Sequence, residues 1–391
     1  MKTMKLHISL LFTAVLLGLV SCVYPFDIDV EGEGGEMVIE GDILIGELTT
    51  VRISHAMPIS SLSGQELFMS AEVSVIDDLG DVYPAISSGE DGFVVDTRDA
   101  DPDRQYKLRV KNLDTDRTYE STFQRVCKPA VIDSLSYSLD EERGRVNIAI
   151  SLHSGSESYF KWSYTEDWEY HTALQAAYKY IPPVVNMVRW TEVPDGPGQV
   201  VSARYPDNNF YCWSHSVSRN IMVFSTENQS DDRFVDLAFH TIDRTDRRIS
   251  YIYHIAVELE ALDKDAYAYW ENVKKNSDYN GSLFAPNPSE VLGNITCLED
   301  PDEVVYGYIS ASRRSVKTLY VKASSFYKET EYFDMTKYQP NQGEWYKFYK
   351  DGYLPYDLGE NPMGPPDWVM NRCVDCTLFG GTTKKPDFWI Y

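Results

Sequence analysis

Apolar and polar residues alternate along much of the chain with a period of two, the pattern of β-strands that bury one face. In the first part of the chain, Gly, Asp and Pro clusters separate short runs rich in β-branched and aromatic residues. These runs are residues 37–45, 50–54, 71–76, 92–96, 106–111 and 118–123. About six or seven such strands in about 90 residues predict a β-sandwich. It should end near Pro129 and resemble immunoglobulin-like or transthyretin-like modules.

The same alternation continues afterwards, with more aromatic residues and longer irregular stretches. The alternating runs are residues 146–152, 159–164, 250–257, 304–309 and 317–322. Asp263 is placed to cap a helix that reaches about Lys275, because apolar residues recur there on one helical face. We therefore predict a mainly β chain, with a β-sandwich domain at residues 37–129. A larger β-rich domain with one or two helices should occupy residues 130–391.

The first 22 residues have the pattern of an export signal. Lys2 and Lys5 precede an apolar run that is shorter than the roughly 20 residues needed to span a bilayer. The run ends in Leu19-Val-Ser-Cys22, which fits the lipobox of bacterial lipoproteins. We therefore expect a signal peptide at residues 1–21, cleavage before Cys22, and lipid on that cysteine that anchors the protein to a membrane.

Residues 22–36 are rich in Gly and acidic residues and offer little to bury, so they should form a flexible tether. The whole chain carries 36 basic and 60 acidic residues. Removing the signal peptide with Lys2 and Lys5 leaves 34 basic residues and a net charge of −26. Such a charge repels nucleic acid and anionic membrane surfaces, which excludes both as partners of the folded part.

Five cysteines remain once Cys22 is lipidated, and export permits disulfides between them. Cys373 and Cys376 form a CxxC motif, but a second CxxC and the βαβ context of a redox motif are both missing from the sequence. We expect both to be oxidised for stability, bonded to each other or to Cys212 or Cys297. The odd count leaves at least one cysteine free or paired between molecules.

Several short strings occur in an order that resembles one family of Bacteroidota lipoproteins, catalogued as domain of unknown function 4249. They are MVIEG at 37–41, CW at 212–213, YAYW at 267–270, GSLF at 281–284, Pro288, GNI at 293–295, VYGYI at 305–309, CVDC at 373–376, GG at 380–381 and KPDFW at 385–389. The resemblance covers nearly the whole mature chain. It implies an outer-membrane lipoprotein encoded beside a TonB-dependent receptor, and it implies no settled biochemical activity.

Motifs for catalysis are scarce in the sequence. HExxH, GxSxG and phosphate-loop patterns do not occur, and the two SxxK strings at 158–161 and 325–328 lie in or beside strand-like runs. The acidic run at 99–103 begins like a calcium loop, but Arg104 and Val110 replace the required Gly and Glu, so we predict a turn. The mature histidines are dispersed without ligand spacing: His55, His153, His171, His215, His240 and His254. We predict no catalytic site, no metal and no cofactor.

Aromatic residues give the remaining functional hint, with 8 Trp and 28 Tyr among 391 residues. Residues 345–368 contain Gly and Pro, lack strand periodicity and are predicted to form a long loop. Aromatic side chains in such a loop can contact a sugar, a peptide or a partner protein. The candidate contact residues are Trp345, Tyr346, Tyr349, Tyr353, Tyr356 and Trp368.

Three functions are compatible with these features. The first is a non-catalytic accessory or ligand-capturing lipoprotein that works with a TonB-dependent outer-membrane transporter. The second is a structural or adhesive module of the cell surface. The third is a hydrolase with an unrecognised site, which a pocket with paired carboxylates about 5 to 9.5 Å apart would support. The ligand, whether a small molecule, a glycan or a peptide, is not specified by the sequence.

Overall fold

The structure is a computed structural model that describes residues 35–56, 67–89, 92–188, 191–204, 207–227, 233–279, 291, 293–330, 333–358 and 364–391. The fold is mainly β, as the alternating pattern predicts. Within the described ranges, no helix combines the length and apolarity needed to cross a bilayer. The expected signal peptide, Cys22 and nearly all of the expected tether lie outside these ranges.

The first part of the chain forms most of one large sheet. Its strands are β1 (Met37–Glu40), β2 (Ile43–Leu44), β3 (Leu48–His55), β4 (Ala71–Asp77), β5 (Val82–Ser87), β6 (Phe93–Asp96), β7 (Gln105–Asn112), β8 (Thr118–Ser121) and β9 (Gln124–Arg125). All except β2 join the sheet, in the order β8-β7-β4-β5-β6-β3-β1, with β9 pairing with β7. The predicted runs correspond to β1 to β4 and β6 to β8, whereas β5 and β9 fall outside them. The acidic run at 99–103 forms the predicted turn before β7.

The described residues after β9 add further sheets and two α-helices. The middle elements are β10 (Val131–Asp140), β11 (Arg145–His153), β12 (Tyr159–His171), β13 (Tyr178–Ile181), β14 (Val185–Val188), β15 (Thr191–Pro194), β16 (Gln199–Ser202), β17 (Tyr211–Val217), β18 (Met222–Ser225), β19 (Arg233–Asp243), β20 (Ile252–Leu262) and α1 (Lys264–Tyr279). The last are β21 (Ile295–Cys297), β22 (Val305–Tyr306), β23 (Ala311–Ser312), β24 (Arg314–Lys322), α2 (Trp345–Lys350), β25 (Tyr353–Asp357) and β26 (Asp367–Met370). Short 3-10 helices occupy Arg247–Ile249, Ala323–Ser325, Gln342–Glu344, Asn371–Cys373 and Cys376–Phe379.

Strands β21 and β22 complete the first sheet, although they follow β20 in the chain. Strand β21 pairs with β8 at one end of the strand order, and β22 pairs with β1 at the other end. The two strands also contact each other, so the sheet curls until its ends nearly meet. The core that it encloses includes Ile295 and Val305 beside Ile39 and Val75. This core therefore crosses the predicted boundary at residue 129, and the division into two domains stays a prediction.

Two glycines allow the closing segment to fit against the sheet. A Cβ atom on Gly307 would lie 1.9 Å from the carbonyl oxygen of Ile39, and one on Gly293 would lie 1.5 Å from the carbonyl oxygen of Gly307. Gly307 also has a φ of 126°, a conformation that favours glycine. The side chain of Asn294 fastens the segment by donating to the Ile309 carbonyl at 2.8 Å and accepting from its N–H at 2.9 Å.

The second body is a sandwich of two sheets. A three-stranded sheet, β10-β11-β19, packs against a five-stranded sheet, β17-β12-β20-β24, in which β18 continues the edge beside β12. The shared core includes Ile148 and Ile150 from one sheet and Tyr253 and Ile255 from the other. The long strand β12 lies inside the five-stranded sheet and pairs with neighbours on both sides.

Helix α1 begins where the sequence predicts. The Asp263 carboxylate accepts a hydrogen bond from the Ala266 N–H at 2.8 Å, which satisfies an amide of the first helical turn. The ring of Tyr267 stacks on Tyr159 of β12 with centroids 5.0 Å apart, so the apolar face of the helix packs on the second body.

One disulfide joins Cys212 of β17 to Cys376, across 164 positions of sequence. Cys127, Cys297 and Cys373 are buried free thiols. The prediction for Cys376 is thus confirmed, whereas the expected oxidation of Cys373 and the candidate role of Cys297 are wrong. Burial raises the pKa of the Cys373 thiol, and Asp334 raises it further, so this half of the CxxC motif remains a protonated core residue.

Gly307→Ala should lower the free energy of unfolding by about 2 kcal/mol or more, because the added methyl group meets backbone at a strained φ. Chemical denaturation measures the change. Gly343→Ala is the matched control, since nothing lies within 4 Å of its Cβ position. Equal stability of the two variants would contradict the close fit of the closing segment.

Alkylation of the unfolded, non-reduced mature chain should label Cys127, Cys297 and Cys373 and leave Cys212 and Cys376 unlabelled in mass spectrometry. Reduction should lower the melting temperature by several degrees, because a structural disulfide typically contributes roughly 2 to 4 kcal/mol. Cys373→Ser should leave the labelling of the other cysteines unchanged. Protection of Cys373 would show a different pairing.

Candidate functional site

Strand β12 carries three buried carboxylates, those of Glu166, Asp167 and Glu169. A buried carboxylate is costly unless hydrogen-bond donors or positive charges surround it. Because side chains alternate along a strand, Glu166 faces the sandwich core, whereas Asp167 and Glu169 share the opposite face. We call the latter the outer face of the five-stranded sheet.

Asp167 stands at the centre of a polar row on the outer face. His215 of β17 and His254 of β20 lie directly opposite Asp167 in the register of the two neighbouring strands. The Nδ1 atoms of His215 and His254 lie 2.7 Å and 3.2 Å from the two carboxylate oxygens. Burial raises the pKa of Asp167, but the hydrogen bonds and charges of both histidines outweigh it and lower the pKa overall.

Glu166 meets a different set of partners on the core side. It accepts hydrogen bonds from Tyr253 Oη at 2.7 Å and Arg248 Nη1 at 2.9 Å, and His240 Nε2 lies at 2.9 Å. Burial raises the pKa of Glu166, and the contacts with His240, Tyr253 and Arg248 more than reverse that effect. This arrangement is a structural anchor of the sandwich, because it is enclosed between the two sheets.

A cavity of about 550 Å³ opens beside the Asp167 row. Its floor is the next row of the outer face, which runs from Trp213 through Glu169 and Ile252 to Lys322 across four adjacent strands. The complete lining is Glu169, Tyr211, Trp213, Tyr251, Ile252, Lys322, Ser324, Lys385 and Tyr391. The cavity therefore combines aromatic walls, one buried carboxylate and two lysines.

Glu169 is held in a fixed orientation at the cavity floor. Its Oε2 accepts a hydrogen bond from Trp389 Nε1 at 3.0 Å, and its Oε1 lies 2.9 Å from His171 Nε2. The His171 ring in turn packs on Tyr251 with centroids 4.1 Å apart. Each oxygen of Glu169 thus has one protein contact and keeps further capacity to accept a hydrogen bond.

The segment after Cys376 forms one wall of the cavity. The disulfide ties this segment to Cys212, and the backbones of Trp213 and Thr382 exchange two hydrogen bonds of 2.8 Å. Lys385, Trp389 and Tyr391 are thereby brought to the outer face of the sheet.

Sequence reasoning missed this site because its members are far apart in the chain. His254 is buried, and its contact with Asp167 satisfies one of its ring nitrogens. The contacts of His215 and His254 with Asp167 depend on strand register, which short sequence patterns do not specify. Among the described residues, no group of three or more His, Cys, Asp or Glu is arranged to hold a metal ion.

The prediction of a long loop at residues 345–368 is wrong. Residues 345–350 form α2, and β25 pairs with β26 as a hairpin behind it. Trp368 is 0% exposed and packs against Tyr180, Trp345 and Phe348, so it cannot be a surface contact as predicted. The aromatic rings pack on one another, and this packing stabilises regular structure in the segment. Its Gly and Pro residues had concealed that structure in the sequence pattern.

The other candidate aromatic residues lie around this core. Trp345, Tyr346, Tyr353 and Tyr356 are partly buried, while Tyr349 is 38% exposed. Tyr346 donates a hydrogen bond to Glu192 at 2.9 Å. None of the six residues lines the cavity, so the aromatic surface around Tyr349 and the cavity are separate features.

Lowering the pH from about 5 to 2 should destabilise the protein partly through Asp167. Its folded pKa lies below the ordinary value of about 3.9, so it contributes stability above that pH and loses it as pH falls through the folded pKa. Asp167→Asn removes this titration. The free energy of unfolding of the variant, measured by urea denaturation at each pH, should therefore fall less steeply with decreasing pH than that of the unaltered protein. The matched control Asp99→Asn replaces an exposed turn residue. Parallel curves for both variants would contradict the assigned role of Asp167.

The comparisons with known proteins give one informative match. The family model described as "Domain of unknown function (DUF4249)" matches residues 23–318, while no curated protein matches. One match among solved structures is a biofilm-associated protein B domain, at 7% identity over 75% of this chain and 87% of that one, with a TM-score of 0.16. A score so low carries no argument. Because the family match covers more than half of the chain, the protein belongs to the family described as domain of unknown function (DUF4249).

Proposed function

We propose that the protein is a lipid-anchored, non-catalytic binding protein that captures a small ligand and works with a TonB-dependent outer-membrane transporter. The observation that carries the proposal is the aromatic cavity on the outer face. Its volume of about 550 Å³ lies within the range of about 300 to 1,000 Å³ typical of small-molecule sites. Its convergent polar groups, Glu169, Lys322 and Lys385, can orient a ligand in it.

Binding explains the cavity better than hydrolysis does. Glycoside hydrolysis needs two carboxylates about 5 to 9.5 Å apart, one of them free to donate a proton. Among the described residues that line the cavity, Glu169 has the one acidic side chain, and its oxygens contact Trp389 and His171. A carboxylate fixed by its neighbours is suited to accept hydrogen bonds from a ligand.

A tethered position and a partner surface complete the proposal. Lipid on Cys22 and the acidic tether at 22–36 would hold the folded part near the outer membrane. The aromatic surface around Tyr349, with Tyr346 and Trp345 beside it, is the proposed contact with the transporter. Exposed Tyr and Trp residues are the types most often found at the energetic centre of protein interfaces.

The test is purification of the native lipoprotein from outer membranes, followed by mass spectrometry of the proteins that come with it. A TonB-dependent transporter should co-purify with the unaltered protein. Tyr349→Ala should reduce its recovery, because loss of about 2 kcal/mol weakens binding roughly thirtyfold. Tyr137→Ala, at another exposed tyrosine in the second body, is the matched control.

Cys22→Ala in the same experiment separates anchoring from recognition. The variant should lose labelling by a fatty-acid probe and accumulate as an unprocessed or mislocalised precursor, because the lipobox supplies no other thiol. Retained lipid label would refute the anchor. A transporter that never co-purifies with the unaltered protein would refute the proposed partnership.

A further inference from the structure

We propose that the ligand of the cavity is a small organic acid built on a ring, with its anionic group at Lys322 and Lys385 and a hydrogen-bond donor at Glu169. This inference rests on the proposed function, because it names the chemistry of the captured ligand. It is carried by the distribution of charge, the spacing of the polar groups and the shape of the walls.

Lys322 and Lys385 place two basic side chains at one cavity in a chain with 60 acidic residues. Many of its basic side chains form ion pairs, such as Lys107 with Glu120 and Arg125 with Glu157. For Lys322 and Lys385, no side-chain carboxylate of the described residues lies within 4.0 Å. The Lys322 ammonium instead lies 4.8 Å above the Tyr391 ring, and the Lys385 ammonium donates to the backbone oxygen of Tyr391, the last residue of the sequence. Two such cations at one cavity favour an anion, which the surrounding acidic surface would otherwise repel.

Glu169 defines the opposite end of the cavity. In the floor row it is separated from Lys322 by Ile252, so the two residues stand two strands apart. At about 4.8 Å between neighbouring strands, that separation is roughly 10 Å at the backbone. The site therefore has a negative end that accepts hydrogen bonds and a positive end that binds an anion. A ligand with a hydroxyl or ammonium group at one end and a carboxylate at the other matches both.

The walls select for a flat, ring-shaped body between the two ends. Tyr211, Trp213, Tyr251 and Tyr391 line the cavity, and the rings of Tyr251 and Tyr391 are well exposed. Such rings stack on the faces of other rings, whether aromatic or sugar. Trp213 is only 4% exposed, and the described residues provide no acceptor for its Nε1–H. An oxygen-rich ligand would supply that acceptor.

The test uses two pairs of probes, each an acid and its neutral analogue, titrated into the purified mature chain. Glucuronic acid against glucose tests a sugar ring, and 4-hydroxybenzoate against 4-hydroxybenzyl alcohol tests an aromatic ring. In at least one pair the acid should bind about tenfold or more tightly than its neutral analogue. A hydrogen bond to a charged group adds about 1.5 to 3 kcal/mol to binding, and about 1.4 kcal/mol corresponds to a tenfold change in affinity. Calorimetry or the change in intrinsic tryptophan fluorescence measures the affinity of each probe. The pair that responds identifies the ring.

Matched variants assign the preference to the two lysines. Lys322→Gln and Lys385→Gln should each weaken binding of the acid several-fold more than binding of the neutral analogue, which reduces the acid preference. Lys317→Gln removes a charge from an exposed position of the same strand away from the cavity and should leave the preference intact. Equal affinity for acid and analogue in both pairs would overturn the anion assignment while ligand capture stands. Failure of all four probes to bind would also overturn it, and co-purification of the transporter would still test the proposed function separately.

Discussion

Burial of three carboxylates on the central strand β12 is the constraint on which the second body depends. Each carboxylate must find donors, and these come from β17, β20, the segment around Arg248 and the segment after Cys376. A slip of one residue in β12 would turn Asp167 into the core and Glu166 out of it, leaving both without their partners. The contacts of these three carboxylates therefore fix the register of β12 against its neighbouring strands. Apolar packing alone would define that register less strictly.

The same requirement joins the two bodies to each other. Lys161 of β12 reaches Asp42, which lies between β1 and β2, and also pairs with Glu260 at 3.3 Å. Burial lowers the pKa of Lys161, but the two carboxylates outweigh that effect and raise it overall. Arg314 connects Glu258 to Glu47 in a second bridge of this kind. Because buried charges separated from their partners are strongly destabilising, these contacts favour one rigid arrangement of the bodies.

Local patterns in the sequence predict the local parts of the fold. Alternation located most strands of the first sheet but missed long strands such as β10 and β19 later in the chain. The Asp263 cap located the start of α1, because a cap is a signal carried by neighbouring residues. The alternating pattern did not predict the hairpin of β25 and β26, because its Gly and Pro residues interrupt the alternation. Aromatic packing on Trp368 stabilises the hairpin instead. The cavity could not be predicted from the sequence for a different reason. Its floor is a row across four strands, and residues such as Trp213 and Lys322 become neighbours only through the register.

The closing of the first sheet by β21 and β22 also bears on how this architecture can be inherited. Residues 37–129 alone would leave β8 and β1 as open edges, and exposed edges invite pairing with other chains. The missing strands are encoded after the whole sandwich of β10 to β20. A gene fragment for the first part of the chain alone, transferred by recombination into another protein, would therefore encode an incomplete sheet. A fragment for the rest would encode β21 and β22 without the sheet that they close. The two bodies must evolve together, as a single exchangeable unit rather than as modules to be shuffled.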